Sequence, residues 1–238
     1  MPGIHAPCVV IVALFSVLGA LAGVEARASD EAVDRATKAA LELDAHPERG
    51  AAEFRQSCAR CHGLDAEGNA GRAIPALAAQ RFRYIVRQLA NFAGDERDSP
   101  TMHHVVMQKE LREPQTWVDI AAYLNNVPIT RQAQTGDGAH VGLGRGIFHE
   151  QCATCHRANA HGDSDGFVPS LRNQHYDYLV DQLHKLAEGS RHNVDEDLIR
   201  FWRSLEDQDV RATADYLSRL RGPGNVHKTM RHDGNVVD

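Results

Sequence analysis

Apolar positions along this chain recur at helical spacing. In "RFRYIVRQLANFAG" they fall at Phe82, Ile85, Val86, Leu89 and Phe92, and Gly94 then offers a stop. A second run carries Tyr176, Leu179, Leu183 and Leu186 and stops at Gly189. A further helix is predicted from Pro114, a favoured first helical position, with Ile120, Ala121, Leu124 and Val127 on one side and Pro128 as its end. Its counterpart runs from about Gln208 to Leu220 and stops at "GPG". Residues 30–44 give a charged amphipathic helix, read as a packing element. Residues 128–142 hold Gly, Gln and Thr without periodicity and read as a linker. No strand pattern is visible.

These elements come in pairs at one fixed offset. Pro75 answers Pro169, Leu77 answers Leu171, Gln80 answers Gln174, Tyr84 answers Tyr178, Gln88 answers Gln182 and Arg97 answers Arg191. After Leu111 the offset shortens by one residue, so Tyr123 answers Tyr216. The first helix of each half has a Gly four residues before a Phe, Gly50 with Phe54 and Gly144 with Phe148. A bare glycine surface lets another helix approach closely. The chain therefore reads as two tandem all-α halves.

Composition changes this picture little. Of 238 residues, 42% are hydrophobic and 24% charged, an ordinary globular balance. A net charge of −6 leaves no broad basic surface and argues against nucleic acid as a partner. The N-terminus adds more. "CVVIVALFSVLGALAGV", residues 8–24, is uncharged, and "ARA" at 26–28 places small residues around a cleavage point. This is a secretory signal pattern, short of the roughly 20 apolar residues that span a bilayer. Uncleaved, it would be an anchor. Either way the remainder lies outside the cytoplasm, and the periplasm is the expected compartment.

Four cysteines follow the leader, in "CARCH" at 58–62 and "CATCH" at 152–156. C-x-x-C-H is the signature of c-type haem attachment. Cys58 with Cys61, and Cys152 with Cys155, would each bind the vinyl groups of one haem, and His62 and His156 would be the proximal iron ligands. Zinc would want further Cys or His ligands at matched spacing, and a thioredoxin-like pair would sit in a strand–helix pattern. Two covalent haems are expected.

With these motifs and the paired prolines, glycines and "AAYL"/"ADYL" helices, residues 48–221 resemble the tandem diheme class I cytochromes c of the c4 type. The resemblance implies two small all-α haem domains face to face, each wrapped around one haem, and electron transfer in the bacterial periplasm. It implies that the Pro75 and Pro169 carbonyls accept the imidazole N–H of the proximal histidines. Tyr84 and Tyr178 either bond a haem propionate or pack. Met102 matches the sixth ligand of the first haem; Ser99 and Pro100 predict an N-cap and first position that put Met102 third in a short helix. Met107 reads as core.

The second half has Glu196 where the first has Met102. With Asn193 as N-cap, Glu196 falls at a capping-box position. A carboxylate poorly matches a low-spin ferrous haem. His192 on the same loop is then the nearest candidate ligand, against an ordinary exposed histidine. His227, Met230 and His232 in the tail and an open or water-bound iron are the remaining options.

The expected organisation is a leader at 1–28, an N-terminal helical extension at 29–47, haem domains at 48–127 and 143–221 joined by the linker at 128–142, and a tail at 222–238. The expected function is an electron carrier between protein redox partners, taking electrons from a dehydrogenase or quinol-oxidising complex and passing them to a terminal oxidase or reductase. Membrane association is expected only if the leader is retained. The alternatives are a peroxidase-like or sulfur- or nitrogen-oxide oxidoreductase, or a gas sensor, acting at an open second haem.

Overall fold

A glycine near the middle of the first helix of each half lets a second helix cross it at backbone distance. A Cβ on Gly50 would lie 1.9 Å from the Asp119 carbonyl oxygen, and one on Gly144 would lie 1.9 Å from that of Ala212. No side chain fits there, so the helices touch main chain to main chain. These two crossings are the frame of the fold.

The computed structural model describes residues 30–191 and 193–221. The leader, the tail with Met230, and His192 lie outside the described residues. Among the described residues the regular structure is helical, with two isolated β-bridges, Asn69–Ile74 and Asp163–Val168. Helix α1 covers 30–41. The first half continues with α2 (Pro47–Glu53), a π-helical turn (Phe54–Cys58), α3 (Ala59–His62), α4 (Phe82–Ala93), α5 (Pro100–Val106) and α6 (Pro114–Asn126). The second follows with α7 (Val141–Ile147), a π-helical turn (Phe148–Cys152), α8 (Ala153–His156), α9 (Tyr176–Glu188), α10 (Glu196–Arg203) and α11 (Asp207–Ser218). Helix α7 begins two residues inside the predicted linker.

Each half builds its own core. In the first, α6 packs on α2 and α4, enclosing Phe54, Val86, Val118 and Leu124. In the second, α11 packs on α7 and α9, enclosing Phe148, Leu179, Leu183, Val210 and Leu217. Phe54 and Phe148 are both fully buried. Each stacks tilted on the tyrosine of the last helix, Tyr123 at 5.4 Å and Tyr216 at 5.6 Å between ring centroids. Burying one such ring contributes about 1.5–3 kcal/mol. The apolar stripes predicted on α4 and α9 are the faces that enter these cores.

Helix α1 belongs to the first core. Val33 and Ala40 join it, and Asp34 pairs with Arg87 of α4. Residues 128–140 carry no regular element but are held to the second half. Asn173 Oδ1 accepts from the Ala133 N–H, and Asp215 Oδ2 accepts from the Gly138 N–H at 2.7 Å. Arg219 donates to the Gly136 carbonyl at 2.7 Å. Met107, read as core from sequence, is 44% exposed at the end of α5, where the helix has already turned away from the interior.

Candidate haem sites

The two C-x-x-C-H motifs fold alike. In each, the helix that carries the glycine widens into a single π turn, with the Ala59 N–H reaching the Phe54 carbonyl and the Ala153 N–H reaching that of Phe148. A one-turn α-helix then holds the second cysteine and the histidine. π turns are rare and concentrate at functional sites.

The histidines are aimed by the prolines. His62 Nδ1 donates to the Pro75 carbonyl at 3.1 Å, and His156 Nδ1 donates to that of Pro169 at 3.1 Å. This bond leaves Nε2 with its lone pair free to ligate. Burial lowers the pKa of His62, against the opposing effect of the Pro75 carbonyl. His156 is lowered in the same way by burial, with Arg191 adding to it. Both imidazoles are therefore held neutral, as iron ligation requires.

Among the described residues Cys58, Cys61, Cys152 and Cys155 form no disulfide. Burial, then Glu53 and Cys61, push Cys58 up to about 12. Burial, then Cys155, push Cys152 up to about 11. A redox-active C-x-x-C pair needs a depressed thiol pKa, the opposite of what is found. Among the described residues no three His, Cys, Asp or Glu side chains converge on one point, so the zinc reading has no ligand set. Paired thiols beside a neutral, proline-oriented imidazole fit a covalent haem c at each motif.

The distal sides differ. In the first half Ser99 caps α5 and accepts from the Met102 N–H at 3.4 Å, placing Met102 third in the helix as predicted. His103 Nδ1 donates to the Phe92 carbonyl at 2.7 Å and ties α5 to the end of α4. In the second half the predicted capping box is wrong. The N-cap is Asp195, whose carboxylate accepts from the Asp197 N–H at 2.7 Å, and Glu196 is the first helical residue. Asn193 is drawn elsewhere: its amide donates to Gln88 of the first half at 3.2 Å. The Glu196 side chain is 88% exposed and pairs with Arg200. A Glu196→Met variant is accordingly expected to create no methionine-ligated haem. The oxidised variant's near-infrared spectrum checks this, and a new sulfur-to-iron band there would contradict the placement of α10.

The faces between the halves carry residues that recur at the repeat offset, of which only Tyr84 and Tyr178 have a role assigned from the sequence. Gln174 grips the Ala76 main chain, accepting from its N–H at 2.9 Å and donating to its carbonyl at 3.0 Å. Gln80 grips Ser170 in the same way, at 2.8 and 3.0 Å. Ala76 and Ser170 directly follow the two histidine-orienting prolines. Next to them lie Tyr84, Tyr178, Arg97 and Arg191. Arg97 donates to the Tyr178 hydroxyl at 2.9 Å and to Gln182 at 2.7 Å. Arg191 donates to the Tyr84 hydroxyl at 3.3 Å. The signal for these side chains was their exact recurrence, since an arginine repeated in both halves can meet its copy across a two-fold-like interface.

Residues 141–221 match the family described as cytochrome c, and residues 45–124 match cytochrome c oxidase, cbb3-type, subunit III. The thiosulfate dehydrogenase electron acceptor of Stutzerimonas stutzeri is 31% identical over 182 residues, covering 72% of this chain and 82% of that protein. Cytochrome c4 of Pseudomonas aeruginosa is 27% identical, covering 68% of this chain and 83% of its own. The crystal structure of reduced recombinant cytochrome c4 from Pseudomonas stutzeri superposes with a TM-score of 0.65 at 27% identity, covering 74% of this chain and all of that one. Paired thiols, proline-oriented histidines, two helical cores and these relatives agree: the chain belongs to the diheme c-type electron carriers of the cytochrome c4 kind.

Proposed function

We propose that this chain is a periplasmic carrier with one haem in residues 48–127 and one in residues 143–221, released from a leader cut near Ala28. The observation that supports it is the twice-built motif, two thiols and a neutral imidazole fixed by a proline carbonyl at 3.1 Å in each half. His62 and Met102 hold the first iron. His156 holds the second, whose sixth ligand is not a methionine of the described residues; His192 is our candidate. The haems supply the one-electron chemistry, and the protein sets their ligation, burial and orientation. No helix of the described residues is long and apolar enough to cross a membrane.

The donor class follows from the relative named as a thiosulfate dehydrogenase electron acceptor. We place this chain in the same role, taking single electrons from a periplasmic sulfur-oxidising dehydrogenase. Mass spectrometry of the exported protein is expected to give the mature chain plus two haems, and thiosulfate with a thiosulfate dehydrogenase is expected to reduce both. One haem mass would overturn the two-site reading, and no reduction would overturn the donor. A second reading, a peroxidase-like enzyme or gas sensor, rests on the exposed Glu196, the residue that answers Met102 in the sequence repeat. High-spin iron in the electron spin resonance spectrum that binds carbon monoxide rapidly would favour it.

A further inference from the structure

The carbonyls that aim the proximal histidines belong to peptide groups whose other end is held from across the molecule. One amide joins Pro75 to Ala76. Its carbonyl accepts from His62 Nδ1 at 3.1 Å, and its N–H donates to Gln174 Oε1 at 2.9 Å. The amide joining Pro169 to Ser170 is bonded alike, its carbonyl accepting from His156 Nδ1 at 3.1 Å and its N–H donating to Gln80 Oε1 at 2.8 Å. Gln80 lies five residues after Pro75, and Gln174 five after Pro169. Each glutamine therefore passes over the proline of its own half and reaches the proline of the other.

These peptide groups are held on every side. Gln80 and Gln174 are 8% and 7% exposed. Each returns a second bond, from Gln174 Nε2 to the Ala76 carbonyl at 3.0 Å and from Gln80 Nε2 to the Ser170 carbonyl at 3.0 Å, which closes a ring around one residue. The next peptide is anchored in its own half, with Leu77 N–H on the Ala66 carbonyl at 2.7 Å and Leu171 N–H on the Ala160 carbonyl at 3.0 Å. Behind the prolines there is no room to shift. A Cβ on Gly68 would lie 2.5 Å from the Pro75 carbonyl carbon, and one on Gly162 would lie 2.5 Å from that of Pro169. Adhesion between the halves asks only for a hydrogen bond somewhere on the face. Both glutamines instead take the one N–H that is conjugated with the histidine's acceptor.

An amide that donates through its N–H carries more negative charge on its oxygen, because hydrogen bonds in a chain polarise one another. The effect passes on to the histidine. A stronger acceptor at Nδ1–H makes the imidazole a more basic ligand. A more basic ligand favours ferric over ferrous iron and so lowers the potential. We propose that Gln174 lowers the potential of the first haem and Gln80 that of the second, each as a positioning residue acting through the proline peptide of the other half. This rests on the two-haem reading above. The docking of the halves thereby enters each proximal bond, and each haem has part of its potential set by the half that does not hold it.

The experiment is a redox titration of holoprotein carrying Gln174→Leu or Gln80→Leu, with each potential assigned to its haem by proton resonance contacts to His62 or His156. Leucine fills most of the glutamine volume, lacks the amide and adds no sulfur. Gln174→Leu is expected to raise the first potential, lowering its oxidised-to-reduced ratio at fixed potential about threefold or more, about 28 mV at about 59 mV per tenfold for a one-electron couple. The second potential is expected to stay in place, and Gln80→Leu is expected to do the reverse. In the reduced protein the Nδ1 proton resonance of His62 is expected to move upfield in Gln174→Leu, as a weaker hydrogen bond requires, and to stay put in Gln80→Leu. If one variant does not yield holoprotein, the other carries the whole test with the halves exchanged. A merely loosened interface would move both potentials in either variant, and that result overturns the proposal. Unchanged potentials overturn it too, as does a fall, or a shift confined to the mutated half's own haem. A wild-type haem count below two fails the two-haem reading itself, and this proposal with it, before either variant is made.

Discussion

Alanine at Gly144 is expected to unfold the second half at a markedly lower temperature, and alanine at Gly50 to do the same to the first. The added methyl at 144 meets the Ala212 carbonyl oxygen at 1.9 Å, its carbon at 2.3 Å and the Thr213 nitrogen at 2.8 Å. All three are backbone atoms inside a helix, so no side chain can swing aside. Helices α7 and α11 must part, and the tilted contact of Phe148 with Tyr216 parts with them. Overpacking a core costs about 1–3 kcal/mol where side chains can yield, and this site lies at the upper end or beyond. Against a domain stability of about 5–15 kcal/mol that loss is large. The same helix supplies its own control: Gly142 and Gly146 have open space where a Cβ would sit. Alanine at either is expected to be neutral or to stabilise by up to about 1 kcal/mol, because glycine is a poor helix former. Thermal unfolding of the holoprotein, followed at each haem, separates the three. A Gly144→Ala protein as stable as the parent would refute the close crossing.

Met102→Ala is expected to remove the near-infrared sulfur-to-iron band of the oxidised protein and to lower one haem potential by more than a tenfold change in the oxidised-to-reduced ratio, about 59 mV. A thioether is a soft ligand that favours ferrous iron, and no other side chain on α5 offers one at the same height. The helix that presents it is fixed at its start by the Ser99 cap and at its middle by the bond from His103 to Phe92. Met107→Ala is expected to leave both observables alone, since that side chain points to solvent. If the band survives in Met102→Ala, the sulfur comes from Met107 or Met230 instead.

What could be read from the sequence was what is decided locally. The α4 and α9 stripes, the Gly–Phe spacing and the cap at Ser99 each depend on a few neighbouring residues, and the structure has them where the pattern put them. The start of α10 was misplaced because two cap-forming side chains compete there. Asn193 is held elsewhere: its amide N–H donates to Gln88 in the other half and its Oδ1, the atom a cap would use, accepts from Arg191, and Asp195 caps instead. That outcome turns on a contact between residues far apart in sequence. The arginine cluster was hidden for the same reason. Arginine is ordinarily a surface residue, and only the docking of the two halves turns Arg97 and Arg191 inward. The glutamine grips on Ala76 and Ser170 are likewise properties of the interface, invisible in either half alone.

The π turns at Phe54–Cys58 and Phe148–Cys152 carry a consequence for how the chain tolerates change in length. An α-helix advances about 100° per residue, so over the eight steps from Gly50 to Cys58 a regular helix would leave the cysteine about 80° out of phase with the glycine. A π turn absorbs one residue without advancing the phase, which brings the attachment cysteine back to nearly the same side as the glycine that seats the helix. Deleting one residue between Arg55 and Ser57 would leave a regular α-helix of seven steps, about 20° short of two full turns, so Cys61 and His62 would keep their direction toward the Pro75 carbonyl. The irregular turn keeps the phase between the seat of the helix and its cargo at the present length, so the segment tolerates losing the extra residue but not straightening with that residue retained.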